Sequence, residues 1–141
     1  MIRQVVLSPA LRRSIEEEAR TALPGECCGL LEGVRRFDAI VVEAAHRTRN
    51  LAEGNDRFEI DPADHFRLLH AARKAGREIL GCYHSHPNGK AAPSTFDTES
   101  AHDDEFVWII AAVTEETFDL GAFVCQEGTF RKVSMLQVLR D

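Results

Sequence analysis

The four cysteines of this chain, Cys27, Cys28, Cys82 and Cys125, include no C-x-x-C pair. That absence removes the usual signature of a zinc knuckle or a dithiol redox motif. The expectation is four reduced thiols packed as small hydrophobes. Long hydrophobic runs are missing too. The longest, Phe106 to Val113, is far too short to span a bilayer, and Met1-Ile2-Arg3-Gln4 does not open a secretory signal. No membrane partner and a cytoplasmic location are therefore expected. No run of lysine or arginine forms a phosphate-tracking stripe, and 23 acidic residues against 17 basic leave a formal charge of −6. Nucleic acid is an unsuitable partner for such a surface. Repeats and low-complexity tracts are also absent, so nothing argues for a solenoid or for disorder.

What is present is ordinary globular material: 141 residues, 44% hydrophobic and 28% charged. This is enough for one domain, residues 1–141, with a real core. Ile2 to Leu7 reads as a strand. Ser8-Pro9 then supplies an N-cap and a proline at the first helical position, and Leu11, Ile15 and Ala19 form an apolar stripe on a helix from Pro9 to Ala22. Cys28 to Val34 and Phe37 to Ala45 read as a hairpin broken at Arg35-Arg36. After a polar loop, Phe58-Glu59-Ile60 reads as a short strand. Asp61-Pro62 repeats the cap signal for a second helix, which presents Phe66, Leu69 and Ala72 and ends at Gly76. Glu78 to Ser85 is a strand, Ser94 caps a short helix, and Phe106 to Val113, Phe118 to Gln126 and Thr129 to Val138 are three further strands. The order predicts an α/β sandwich with a mixed sheet.

The chemistry concentrates between residues 84 and 97. His84 and His86 are two apart, so on a strand their imidazoles leave the same face and can grip one ion. Asp97 follows a loop long enough to fold back and supply a third, oxygen ligand. Structural zinc sites close all four positions with protein, whereas two His and one Asp leave a position for water, the catalytic arrangement. Such a site also needs a non-ligand group to move a proton. Glutamates such as Glu16 and Glu17 lie on a solvated helix face. Glu26 instead sits between the turn Pro24-Gly25 and the apolar Cys27-Cys28-Gly29-Leu30-Leu31.

His84-x-His86, seven residues, Ser94, two residues, Asp97 resembles the signature of the JAMM (MPN-plus, JAB-type) metalloproteases. Glu26 before Cys-Cys-Gly-Leu-Leu resembles that family's upstream glutamate. Asn50, Arg57-Phe58-Glu59-Ile60-Asp61-Pro62, Gly81 and Pro93 are similar to the short prokaryotic members. The resemblance implies a cytidine-deaminase-like fold, a mixed β-sheet flanked by helices. It implies one zinc ion (Zn2+) per chain held by His84, His86 and Asp97. Glu26 would be general base and then general acid, and the Ser94 hydroxyl an oxyanion donor. The implied activity is metallopeptidase or isopeptidase cleavage at the C-terminus of a ubiquitin-like or sulfur-carrier protein.

Alternatives remain beside this reading. One is deconjugation of a ubiquitin-like modifier from lysine; another is a non-catalytic MPN scaffold, although scaffolds lack the ligands present here. A zinc nucleoside deaminase would need H-x-E or C-x-E followed by P-C-x-x-C, which is not found. For Ser94 the plain alternative is an N-cap. Asn50 either lines a substrate groove or ends a strand. His46, His65, His70 and His102 are expected at the surface or boundary, and Tyr83, Phe96 and Trp108 as packing residues. Sequence does not set the oligomeric state.

Overall fold

The computed structural model describes residues 1–100 and 104–137, without the side chains of residues 99 and 100. His102 and Val138, which carried expectations above, lie outside them. Among the described residues the order is β1 (Gln4–Val6), α1 (Pro9–Ala22), β2 (Cys28–Arg36), β3 (Ala39–Thr48), α2 (Pro62–Lys74), β4 (Glu78–His86), α3 (Thr95–Ser100), β5 (Val107–Val113), β6 (Phe118–Gln126) and β7 (Thr129–Leu136). This is the predicted order less one strand. Phe58-Glu59-Ile60 makes a single bridge, Asn50 to Ile60, and is otherwise loop. The Glu59 amide donates to the Asn50 side chain instead of to a neighbouring strand, so no ladder grows there.

The sheet is mixed, as expected: β1–β3, β1–β7 and β4–β5 pair parallel, the other neighbours antiparallel. Closure was not foreseen. The strands run β1-β3-β2-β4-β5-β6-β7 and return on themselves, because the short β1 pairs with β3 on one side and β7 on the other. The hairpin also turns later than predicted. Arg35 and Arg36 stay in β2, paired with Ile40 and Ala39, and the chain reverses at Phe37-Asp38 with Phe37 at φ 57°. Charged residues at an exposed strand end need not interrupt pairing, because their side chains point to water.

The starts of α1 and α2 are as predicted. The Leu11 amide donates to Ser8 Oγ and the Ala63 amide to Asp61 Oδ1, and each cap is followed by proline. Gly76 adopts φ 73° just past α2, a conformation that costs glycine little. Helix α1 buries Ile15 and Ala19 of its predicted stripe. Helix α2 sits differently: Leu68 and Ala72 are buried, Leu69 is only partly so, and Phe66 is 66% exposed against His70. Leu68 and Ala72 are an i, i+4 pair, so a single face docks and it is rotated from the one expected.

The alternation of strand side chains decides which layer each residue joins. On β5, Val107, Ile109, Ala111 and Val113 pack with α1, whereas Trp108 and Ile110 pack with Phe58 and Leu68. On β4, Tyr83 faces α1, where its hydroxyl donates to Glu18 at 2.6 Å, and Cys82 faces α2. His84 and His86 continue the Cys82 face. The Tyr83 ring lies across Gly29 in β2, where a β-carbon would overlap both that ring and the His46 carbonyl. The four thiols are buried and unpaired by disulfides, as expected.

One buried carboxylate outside the site makes a testable contribution to stability. Glu32 in β2 meets His46 Nε2 at 2.9 Å and Arg77 at 3.1 Å. Partial burial opposes its ionisation, but the hydrogen bonds and charges of His46 and Arg77 outweigh it and lower the pKa from the ordinary 4.5. A carboxyl depressed on folding stabilises above its unfolded pKa, and that gain is lost as pH falls through the folded value. Glu32→Gln is expected to cost on the order of 1–3 kcal/mol near neutral pH. In urea titrations the difference from the unaltered chain should shrink below about pH 4.5. A pH-independent difference would show that the charge is irrelevant.

Candidate active site

Strand β4 ends in the paired histidines because a strand returns its side chains to one face every second residue. His84 and His86 are buried, and their Nε2 atoms lie 3.0 Å apart. Asp97 arrives from α3. Ser94 and Asp97 close a reciprocal cap: the Asp97 amide donates to Ser94 Oγ at 3.1 Å, and the Ser94 amide donates to Asp97 Oδ2 at 2.9 Å. This local device aims Oδ2 at the histidines, 3.1 Å from each Nε2. The three predicted ligands therefore converge on one point.

Such a triangle is awkward as a hydrogen-bond arrangement. Each imidazole N–H can aim at only one acceptor, yet every edge is 3.0–3.1 Å. A tetrahedral ion with bonds of about 2.0–2.1 Å would space its ligands by roughly 3.3 Å, close to the edges seen. The residues fit a metal. Glu26, His84 and His86 also offer ligand atoms within 4.8 Å of one another, so the donor set extends to the carboxylate predicted upstream.

The environment separates the two carboxylates. Burial opposes ionisation of Asp97, but hydrogen bonds from His84, His86 and the Ser94 amide hold its carboxyl well below the usual range. Burial pushes Glu26 up to about 7; His86 draws it down while Asp97 and Asp56 push it further up. Its Oε1 is buried without a partner. Two carboxyls with pKa values forced apart are suited to different tasks, one to stay charged and one to exchange protons near neutrality. His86 Nδ1 lies 3.0 Å from the Lys90 carbonyl, which orients the ring with Nε2 toward the cluster. His84 Nδ1 is buried without a partner, and its ring stacks on Phe58 at 4.2 Å.

A cleft of about 370 Å³ opens onto this cluster, bordered by Glu26, Asp56, His86, Ser94 and Phe96. Phe96 was expected in the packing; it is instead half-buried on the cleft wall, under the Arg57 guanidinium at 5.0 Å. Tyr83 and Trp108 are packing residues, as expected. His46, His65 and His70 take no part in the cluster. Ser94 serves as the cap, and because its Oγ accepts from Asp97, its own proton is still available to a second partner.

Two contributors were missed. Ser85 Oγ accepts from the Cys27 amide at 2.8 Å, and the Ser85 amide donates to the Cys27 carbonyl at 3.1 Å. Ser85 thus fixes the backbone beside Glu26, from the face of β4 opposite the histidines. Phe58 backs the His84 ring. Ser85 leaves no motif of its own, because it acts on the backbone of a distant segment, and Phe58, although it lies in the segment similar to the short prokaryotic members, meets His84 only through the fold.

The description "prokaryotic homologs of the JAB domain" matches residues 8–125, well over half of the chain. The desampylase of Haloferax volcanii is 37% identical over 111 residues, covering 75% of this chain and 78% of that protein. A probable TtuB-protein conjugate cleaving protease of Thermus thermophilus is 32% identical over 124 residues, covering 82% and 75%. Among solved structures, one from Desulfitobacterium hafniense superposes with a TM-score of 0.88 at 28% identity, covering 97% of this chain and 94% of that one. A second, from Salinibacter ruber, gives 0.70 at 26% identity, with 95% and 91% covered. With fold, convergent donors and the matched span all in agreement, the chain belongs to the prokaryotic homologs of the JAB domain.

Proposed function

We propose that the chain is a zinc-dependent peptidase that hydrolyses a peptide or isopeptide bond at the C-terminus of a small ubiquitin-like or sulfur-carrier-type protein. One observation carries this reading: His84 Nε2, His86 Nε2 and Asp97 Oδ2 lie 3.0–3.1 Å apart beside a cleft that Glu26 also borders. His84, His86 and Asp97 would hold the ion. When bound, zinc supplies Lewis-acid polarisation of the scissile carbonyl and lowers the pKa of water. Glu26, with a carboxyl poised near neutrality, accepts the proton of the attacking water and delivers it to the departing amine. The Ser94 hydroxyl donates to the oxygen on which negative charge develops.

Cleavage from lysine is the second reading, and the names of both curated relatives, a desampylase and a conjugate-cleaving protease, favour it. A purely structural role finds no support in a complete donor set. The deciding experiment incubates zinc-replete protein with a sulfur-carrier-type protein extended beyond a Gly-Gly end, and with the same protein joined to a target lysine. Mass spectrometry then reads the products. Release of the extension or of the target supports the proposal and tells the two bonds apart. Both substrates intact in the presence of stoichiometric zinc would overturn it.

Ser94→Ala separates cap from catalyst. Loss of the cap alone costs about 1 kcal/mol of stability. Loss of an oxyanion donor lowers turnover by roughly 10²- to 10³-fold. We expect both effects with zinc retained; unchanged turnover would leave Ser94 a cap only.

A further inference from the structure

An asparagine side chain has two N–H donors and two carbonyl lone pairs. Asn50 uses all four on backbone. Its Nδ2 donates to the Glu26 carbonyl at 3.0 Å and to the Arg57 carbonyl at 3.3 Å. Its Oδ1 accepts from the amides of Ala52 at 3.0 Å and Glu59 at 2.9 Å. The amide orientation is dictated by these partners, since the reverse would set an NH₂ against two N–H groups. No hydrogen-bonding capacity is left for a ligand, although Asn50 borders a hollow of about 540 Å³ beside Glu26.

The four bonds tie together segments that matter to the site. On one side is the peptide that carries Glu26. On the other are Arg57 and Glu59, flanking Phe58, whose ring stacks on His84 at an interplanar angle of 20°. The Arg57 guanidinium lies over Phe96, the residue before Asp97. The loop is thereby clasped to the candidate proton carrier, to the ring behind one histidine, and to the helix of the aspartate.

We infer that Asn50 is a positioning residue: its side-chain amide holds the Glu26 peptide to the Arg57–Glu59 segment and so sets the Glu26 carboxyl against the His84, His86 and Asp97 cluster. This rests on the reading of Glu26 as proton carrier. A displacement of about 1 Å in a reacting group can cost 10²-fold in rate without weakening substrate binding. Asn50 should therefore act on kcat and not on KM.

Asn50→Asp is the discriminating variant. It keeps an oxygen for the Ala52 and Glu59 amides but loses both donors to the Glu26 and Arg57 carbonyls. We expect stoichiometric zinc, kcat on the extended sulfur-carrier substrate lowered roughly 10- to 100-fold, and KM changed by less than about twofold. Amide hydrogen exchange in a peptide spanning residues 24–29 should accelerate by roughly fivefold or more, as one tethering bond is lost. Asn50→Ala should show the same kcat loss with lower thermal stability. A kcat within about twofold of the unaltered chain overturns the inference. So does a raised KM at constant kcat, which marks a groove wall, and so does loss of zinc or fold in both variants, which marks a purely structural role. Should the unaltered chain cleave neither substrate, the peptidase reading fails by itself. The exchange experiment still decides the tether, and unchanged exchange in both variants overturns it.

Discussion

Glu26→Gln is expected to keep one zinc per chain and to lower turnover by roughly 10³- to 10⁴-fold, the upper part of the range for a positioned proton carrier. The size follows from double use: the same carboxyl takes a proton in the attack and returns it in the collapse, so both steps suffer. Glutamine is close in shape and neutral. The buried pocket that now raises the Glu26 pKa to about 7 would lose no ion pair on the exchange. Little change in thermal stability is expected, and KM should stay near its original value. Metal content and single-turnover rates measure the two parts separately. Glu26 also lies among the potential donors, with ligand atoms within 4.8 Å of those of His84 and His86. Loss of zinc from Glu26→Gln would therefore reassign it from proton carrier to ligand.

Asp97→Ala is expected to empty the site and end turnover. Asp97 is 1% exposed, and its Oδ2 meets His84, His86 and the Ser94 amide. Removing it deletes one ligand, and also the acceptor that aligns both imidazoles and closes the cap of α3. Because an ion that binds only the folded chain stabilises it by mass action, about 2.7 kcal/mol at a hundredfold excess over Kd, the unaltered protein should melt higher with zinc than after chelation. The variant should show the same Tm in both conditions. Stoichiometric zinc in Asp97→Ala, or an undiminished zinc-dependent rise in Tm, would remove Asp97 from the ligand set. Read together, the Glu26 and Asp97 variants decide which carboxylate holds metal and which moves protons.

The parts of this molecule that were legible in sequence share one property, namely that they depend on neighbours a few residues away. Ser8-Pro9 and Asp61-Pro62 announce their helices because a cap acts over three residues. His84 and His86 fall on one face because strand period is two, and Ser94 with Asp97 forms a cap that needs only its own turn. The misreadings are equally local in origin. Arg35-Arg36 looked like a break, and Phe58-Glu59-Ile60 looked like a strand, because composition says nothing about which partner lies alongside. Phe66 reads as part of the face that α2 presents, yet it is exposed, because apolar character marks a docked helix face only when the docking partner is known.

Sequence alone determined the candidate donors, the cap that aims one of them, the order of most elements and the family resemblance, all of which rest on spacing and residue type. Only the tertiary structure decided where Glu26 stands. It brings β2 against β4 with Cys28 opposite His84, grips the Glu26 neighbourhood through Ser85 and Asn50, and places Phe58 behind a histidine ring. It also closed the sheet through β1, three residues long. The physical reason is that these contacts join residues far apart in the chain and largely through backbone atoms. Every residue has those atoms, so their pairing leaves no mark in composition and is set only when the core brings the strands together.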